Sequence, residues 1–270
     1  MNAFPRSLTF SAVDGLGFAA TSGNFDAAER SAPFEPGRLG PLLELFDLVS
    51  GGQLPPPRRG RWVTDAGPAS LINALQDDHE TWLSPDDHRM GFIRSRRKQP
   101  DGDNRFTAFL MTAQRAAREV TSLPGTTPGQ LVAAMQEMES NIHEHSEAPA
   151  TGCVAFCAMP EIFEFAVLDQ GIGVLQSLHR CPTFAALSDH GKALQAALTD
   201  GTSRFGPSSN HGHGFRPMFL GLVNMRGSLR FRTGDYALTM DGTSPTLATA
   251  QLAQKPYLKG FFASISCSRY

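Results

Sequence analysis

Three polar side chains at helical spacing are the first candidates for chemistry. Glu137, Asn141 and His145 lie four residues apart within 128–145, which the sequence predicts to be one helix. This spacing places them on a single stripe of the helix. A helix with polar and apolar stripes side by side can pack on a sheet and line a pocket, although an ordinary amphipathic surface helix has the same pattern. The neighbouring apolar stripe consists of Leu131, Met135, Met138 and Ile142.

A carboxylate and two glycines follow a segment that predicts a strand. Residues 162–169 place Phe163, Phe165 and Val167 on one side of the strand, and Asp169, Gly171 and Gly173 then form the pattern D-x-G-x-G. Because glycine has no Cβ, a planar ligand can approach the backbone closely here. An acidic turn without a ligand is the alternative interpretation.

A second glycine pair precedes a helix predicted to begin near Phe215. Gly212 and Gly214 flank His213 in the segment NHGHGF. Backbone N–H groups that are free at the start of a helix suit phosphate oxygens. Glycine-rich turns are common, so this segment is informative only through its order relative to the other two.

In the order E-x3-N, D-x-G-x-G, G-x-G, with a long loop between the last two, the chain resembles the histidine-kinase-like (GHKL, Bergerat) ATPases. That family includes gyrase B, Hsp90, sensor histidine kinases and MutL. The resemblance extends from about residue 107 to residue 270. The segments NIHEHS and DGTSRFGPSSNHGHGF are most similar to the bacterial anti-sigma serine kinases.

The resemblance implies a role for each matched residue. Asp169 would receive the amino group of adenine, with Gly171 and Gly173 shaping the adenine pocket. Asn141 would coordinate the Mg²⁺ that accompanies ATP. The other nucleotide-binding residues expected, around the helix end, the lid and the phosphates, are His145, Gly212, His213 and Gly214.

One residue departs from the family pattern and another is a candidate catalyst. Phe215-Arg216-Pro217 follows Gly214 where the family continues with a further glycine, so Arg216 is expected to contact phosphate itself. Glu137 lies one helical turn before Asn141 on the same face. We expect it to act as general base when a serine hydroxyl or water attacks the γ-phosphate. The alternative is that it only anchors the helix.

The fold implied for residues 105–270 is an α+β sandwich, a Bergerat-type domain with a mixed sheet and helices on one face. Residues 1–104 form a small α/β region of unknown role, a sensor or a docking domain. The charged segment 94–103 marks the boundary. Within these regions the pattern predicts a strand at 7–13, helices at 39–48, 69–75 and 106–120, and a long irregular stretch at 171–214.

Composition excludes several classes of protein. Of the 270 residues, 41% are hydrophobic and 19% charged, which predicts a packed core. The net charge of -2 gives no case for binding nucleic acid or an anionic membrane. No apolar run approaches the roughly 18 residues of a membrane span. We therefore expect a cytoplasmic protein.

The cysteines and histidines do not suggest a metal enzyme. Cys153 and Cys157 would face one side of a strand about 13 Å apart, too far to pair. All four cysteines are expected to be buried, reduced thiols. His143 and His145 are two residues apart on a helix, so they point in different directions and cannot share an ion. The sequence also lacks a G-x-S-x-G elbow and a P-loop.

Two functional classes remain. One is an ATP-binding regulatory enzyme, a serine/threonine protein kinase of anti-sigma type or a slow ATPase. The other is a catalytically silent, nucleotide-gated module that sequesters a protein partner. Both classes imply ATP or ADP as ligand, Mg²⁺ as companion ion and a regulatory protein as partner. Both are also compatible with association of the chain into a homodimer.

Overall fold

A single antiparallel sheet organises the molecule. The computed structural model describes residues 6–58, 60–85, 87–95, 104–198, 226–240 and 250–269. Within them the strand order is β1-β2-β3-β4-β6-β5, and every neighbouring pair is antiparallel. The α+β class is confirmed, whereas the expected mixed sheet is wrong. The strands are β1 (Thr81–Leu83), β2 (Met90–Arg94), β3 (Cys153–Met159), β4 (Ile162–Asp169), β5 (Arg226–Met240) and β6 (Gln251–Ser268).

Helices cover both faces of this sheet. The described α-helices are α1 (Phe10–Thr21), α2 (Phe25–Glu29), α3 (Leu39–Ser50), α4 (Ala69–Gln76), α5 (Arg105–Glu119), α6 (Thr127–His145), α7 (Gly173–Leu178) and α8 (His190–Ala197). One core lies between the sheet and α5, α6 and α8, and a second lies between the sheet and α1, α3 and α4. Helices α5, α6 and α8, which belong to residues 105–270, thus share one face, and the other face is covered by α1, α3 and α4 from the preceding region. Both layers are needed because the side chains of β3 are apolar on both faces.

The region before residue 104 takes part in the same sheet. Strands β1 and β2 extend it beyond β3, and β2 pairs with β3 from Met90 opposite Cys157 to Arg94 opposite Cys153. We call α1, α3 and α4 the N-terminal layer, because they pack on the face opposite to α5 and α6. The division of the chain at residue 104 stays a prediction, and residues 96–103 lie outside the described part.

Helix α6 follows its predicted pattern. The apolar stripe is buried and packs against the sheet, whereas the next stripe is polar and partly exposed. The helix begins at Thr127, one residue before the predicted start, and Thr126 is its N-cap. Apolar residues that recur every three or four residues over a long segment are a strong local signal for a helix. This signal explains why the predicted and observed helices agree.

Two predicted stretches differ from the structure. The pattern at 7–13 predicts a strand, but Thr9 caps α1 by accepting a hydrogen bond from the Ala12 N–H at 3.2 Å. The stretch 171–214, expected to be irregular, contains the short helices α7 and α8. Asp189 caps α8 by accepting from the Lys192 N–H at 2.7 Å. Helices of six to eight residues owe their stability to packing, and α7 and α8 pack on each other.

A buried ionic cluster joins the N-terminal layer to β5. Arg230 donates to the carboxylates of Glu44 and Asp14, and Arg232 donates to Glu44 as well. Glu44 and Arg232 are completely inaccessible to solvent. Charges that are removed from water in this way need their partners, because an unpaired buried charge is very costly.

The cysteines are as predicted. All four are free thiols and buried. Cys153 and Cys157 face the same core, under the N-terminal layer. Burial raises the pKa of each of these two thiols to about 12, so both are protonated near neutral pH and unreactive as nucleophiles.

Candidate functional site

The candidate site is built around Asp169, the last residue of β4. Phe163, Phe165 and Val167 belong to the core under α5 and α6, so strand alternation places Asp169 on that same side. Its cross-strand neighbour on β6, Phe261, also packs against that core. The carboxyl group therefore faces the layer that contains α6.

The Asp169 carboxyl group is almost completely removed from solvent, with 4% of the residue exposed. Its Oδ1 accepts a hydrogen bond from the Gly171 N–H at 2.8 Å. Burial raises the pKa of Asp169 to about 7, and the Gly171 bond only partly opposes this rise. The group therefore changes its ionisation near neutral pH, and its ionised form is a pure hydrogen-bond acceptor.

The two glycines of the D-x-G-x-G segment lie where a side chain does not fit. A Cβ on Gly171 would overlap the backbone carbonyl of Ser146, just beyond the end of α6. The next residue, Ile172, donates its N–H to that same carbonyl at 2.9 Å. Gly173 has a φ of +73°, and a Cβ there would lie 2.7 Å from Thr233 Oγ1. The loop is thus held tightly against α6 on one side and β5 on the other.

Thr233 and Gly260 complete this junction, although no sequence pattern selects Thr233. Its Oγ1 donates to the Gly260 carbonyl at 2.8 Å and accepts from the Val174 N–H at 3.1 Å. Gly260 has a φ of +80°, and a Cβ on it would overlap the Asp169 carbonyl. A threonine within a strand is ordinary, so only the three-dimensional contacts reveal that Thr233 joins β5, β6 and α7.

The predicted residues of α6 lie at increasing distance along the helix from this junction. His145, at the end of α6, is close to α7, where its Nδ1 lies 3.3 Å from Ser177 Oγ. Asn141, one turn earlier, is half-buried, and Glu137, two turns earlier, is exposed. Among the described residues neither Asn141 nor Glu137 makes a side-chain hydrogen bond. The structure therefore brings His145, Asp169, Gly171 and Gly173 together and leaves the Asn141 and Glu137 side chains without a role in holding the scaffold.

The third motif cannot be placed in this site. Gly212, His213, Gly214 and Arg216 lie outside the described residues, as does the helix predicted near Phe215. The expected phosphate contacts of these residues stay predictions.

A serine, a histidine and a carboxylate also meet on the other side of α6. Ser95 Oγ donates to Glu139 and lies 2.8 Å from His143 Nε2, and that same nitrogen lies 2.8 Å from Glu139. A catalytic relay needs the acid on one ring nitrogen and the hydroxyl on the other. Because both contacts fall on Nε2, this arrangement ties α6 to the end of β2 rather than activating Ser95.

Replacing Gly171 by alanine should damage the site directly. The added Cβ overlaps a backbone carbonyl, which cannot rotate away, so the loop must shift from α6. We expect a loss of about 1–3 kcal/mol of unfolding free energy, measured by urea denaturation. Gly15→Ala is the control, because nothing lies within 4 Å of its added Cβ in the middle of α1. That change should be neutral or stabilise by up to about 1 kcal/mol. Equal effects of the two changes would contradict the tight packing of Gly171.

The part of the chain that the structure describes holds neither a metal-binding cluster nor a helix suited to a bilayer. No group of three or more His, Cys, Asp and Glu side chains there is arranged to hold a metal ion. None of the described helices combines the length and the apolar character that crossing a bilayer requires. Comparison of the chain with protein-family models, with curated proteins and with solved structures finds no match.

Proposed function

We propose that this protein binds an adenine nucleotide, with the base held at Asp169 between the end of β4 and the C-terminal end of α6. The observation that carries this proposal is a buried carboxyl group beside a loop whose glycines exclude any Cβ. The amino group of adenine is a donor that suits the free oxygen of an ionised Asp169. Gly171 and Gly173 let the loop pack directly against α6 and β5, which holds the neighbouring Asp169 carboxyl group in place for the base.

Electrostatics favours the base rather than the phosphates at this position. A buried carboxylate repels a phosphate group, and no described cation pairs with Asp169 to offset that repulsion. The phosphates would therefore extend along α6, away from Asp169. Asn141, half-buried and one turn before His145, offers a neutral oxygen of the kind that Mg²⁺ accepts. When bound, the ion would neutralise phosphate charge, and Asn141 would hold it.

We further infer a Bergerat-type arrangement for residues 105–270 and a regulatory role for the protein. Support comes from the order of α6, β4 and the D-x-G-x-G loop, and from the contact between that loop and the end of α6. The silent binding module remains the second candidate. Glu137, whose side chain is exposed, separates the two candidates, because turnover requires its carboxylate to face the γ-phosphate and a silent module does not.

A binding measurement with matched nucleotides tests the proposal. The guanine ring presents a carbonyl oxygen where adenine presents its amino group, so GDP would place two acceptors against each other. Such a mismatch costs about 1–3 kcal/mol, so we expect ADP to bind about 5- to 150-fold more tightly than GDP. Titration calorimetry at pH 8, with Mg²⁺ and with EDTA, measures both the selectivity and the contribution of the ion. Equal affinities for ADP and GDP would overturn the proposed site.

Glu137→Gln tests whether the protein turns over ATP. Glutamine keeps the shape of the side chain and removes the base, so ATP affinity should stay within a few-fold. Turnover should fall by about 10²–10⁴-fold. Glu119→Gln, an exposed change at the end of α5, is the control and should leave both quantities unchanged. Unchanged turnover in Glu137→Gln would exclude the catalytic role and favour the silent module.

A further inference from the structure

Gln170 connects the candidate site to the N-terminal layer. It directly follows Asp169, and its side chain contacts the opposite face of the sheet. There Gln170 Nε2 donates to Asp47 Oδ1 at 3.0 Å and to Ser50 Oγ at 2.9 Å, both on α3. Its backbone N–H donates to Thr151 Oγ1 at 2.9 Å. Three hydrogen bonds from one residue therefore hold the chain immediately after Asp169.

Asp47 is a costly residue to place at this position. It is 1% exposed, and its Oδ2 has no hydrogen-bond partner. Burial raises its pKa to about 8, and the nearby charge of Asp169 raises it further, whereas the Gln170 bond lowers it. A buried polar oxygen without a partner destabilises the folded state. The hydrogen bond that Asp47 accepts from Gln170 partly offsets this destabilisation.

We propose that Asp47 and Ser50 are positioning residues for Asp169, acting through Gln170, and that the N-terminal layer thereby sets how selectively the site recognises adenine. This inference rests on the proposed function. Asp169 and Gln170 are consecutive residues on opposite faces of the sheet, so fixing Gln170 fixes the peptide that carries the Asp169 carboxyl group.

The geometry on the other side of the peptide supports this mechanism. Asp169 Oδ1 is already occupied by the Gly171 N–H, so the direction of its free oxygen depends on the conformation of the loop that follows. Gln170 is the first residue of that loop. If Gln170 is released from α3, the loop keeps its contacts with α6 and β5 but loses its attachment to the N-terminal layer.

The experiment compares ADP with IDP, which differs in carrying a carbonyl oxygen in place of the adenine amino group. Affinities for both are measured by calorimetry on the full chain. In Gln170→Ala and Asp47→Leu the preference for ADP over IDP should fall about tenfold, a loss of about 1.4 kcal/mol in selectivity. Asp47→Asn keeps the oxygen that accepts from Gln170, so it should retain the preference within about twofold. Gln176→Ala, an exposed change on α7, is the matched control and should behave as the wild type.

A merely structural role would weaken ADP and IDP equally and leave their ratio unchanged. Hydrogen exchange without nucleotide provides a second readout. In Gln170→Ala the amides of Gly171 and Ile172 should exchange faster, while those of β3 and β4 stay protected. A selective wild type combined with an unchanged ratio in Gln170→Ala, or with unchanged exchange in the loop, overturns this inference alone. Equal affinity of the wild type for ADP and IDP overturns the proposed function and this inference with it.

Discussion

Asp169→Asn is expected to lose about 5- to 150-fold in ADP affinity while the protein remains folded. The reason lies in the hydrogen bond that Asp169 already makes. The Gly171 N–H needs an acceptor, so the single amide oxygen of asparagine stays with it. The amide nitrogen then faces the amino group of adenine, and two donors oppose each other in a buried pocket. Calorimetry with ADP measures the loss, and normal ADP binding by Asp169→Asn would exclude this residue from the site.

The pH dependence separates this effect from unfolding. Adenine needs the ionised acceptor and the pKa of Asp169 is about 7, so wild-type affinity for ADP should rise from pH 6 to pH 8. The affinity of Asp169→Asn should lack that rise. Stability without ligand changes in the opposite direction. The pKa of Asp169 in the folded protein lies above the value of 3.8 expected in the unfolded chain. The contribution of this group to the free energy of unfolding is therefore fully present below pH 3.8 and is lost as the pH rises through 7. The variant should therefore gain stability relative to the wild type at pH 8.

Glu44→Gln is expected to destabilise the protein by about 3–5 kcal/mol. Glu44 is the carboxylate that Arg230 and Arg232 share, and neither it nor Arg232 contacts solvent. Glutamine has nearly the same shape but leaves the two guanidinium groups with less negative charge than they need. The Arg232 Nε already lacks a partner, so the cluster has no spare acceptor to offer.

Urea denaturation of Glu44→Gln and of Glu80→Gln measures this difference. Glu80 pairs with Arg105 at 2.9 Å, but both side chains are 60% exposed. An exposed pair of this kind contributes at most about 1 kcal/mol, so Glu80→Gln should change stability little. Similar losses of unfolding free energy in the two variants would show that burial does not strengthen the contribution of the Glu44 cluster to stability.

Local patterns allowed part of this structure to be predicted. The stripe of Leu131, Met135, Met138 and Ile142 was recognisable because the helical repeat acts within one segment. The same holds for Asp169 at the end of a strand, since a predominantly apolar segment ends directly before it. The direction of the strands and the second helical layer were not predictable in this way, because they depend on pairing between distant segments.

The contacts that support the candidate site could not be predicted from local patterns, because they join residues that are far apart in the sequence. Gln170 and Asp47 are 123 residues apart, and Thr233 and Gly260 are 27 apart. Thr233 has no unusual neighbourhood in the sequence, and Gln170 occupies an unspecified position of the D-x-G-x-G pattern. A glutamine between an aspartate and a glycine predicts only a turn, and its reach across the sheet to α3 follows from the fold alone.

The order of the strands also has a consequence for synthesis of the protein. Strand β6 lies between β4 and β5, although it is translated after both. Until β6 has left the ribosome, β4 lacks one neighbour and β5 has no place in the sheet. Arg230, on β5, pairs with Asp14, which is translated 216 residues earlier. This pair therefore cannot form before β5 is placed in the sheet. The helices of the N-terminal layer therefore remain incompletely packed until β6 has been made, so we expect the nascent chain to need protection from aggregation until β6 is inserted.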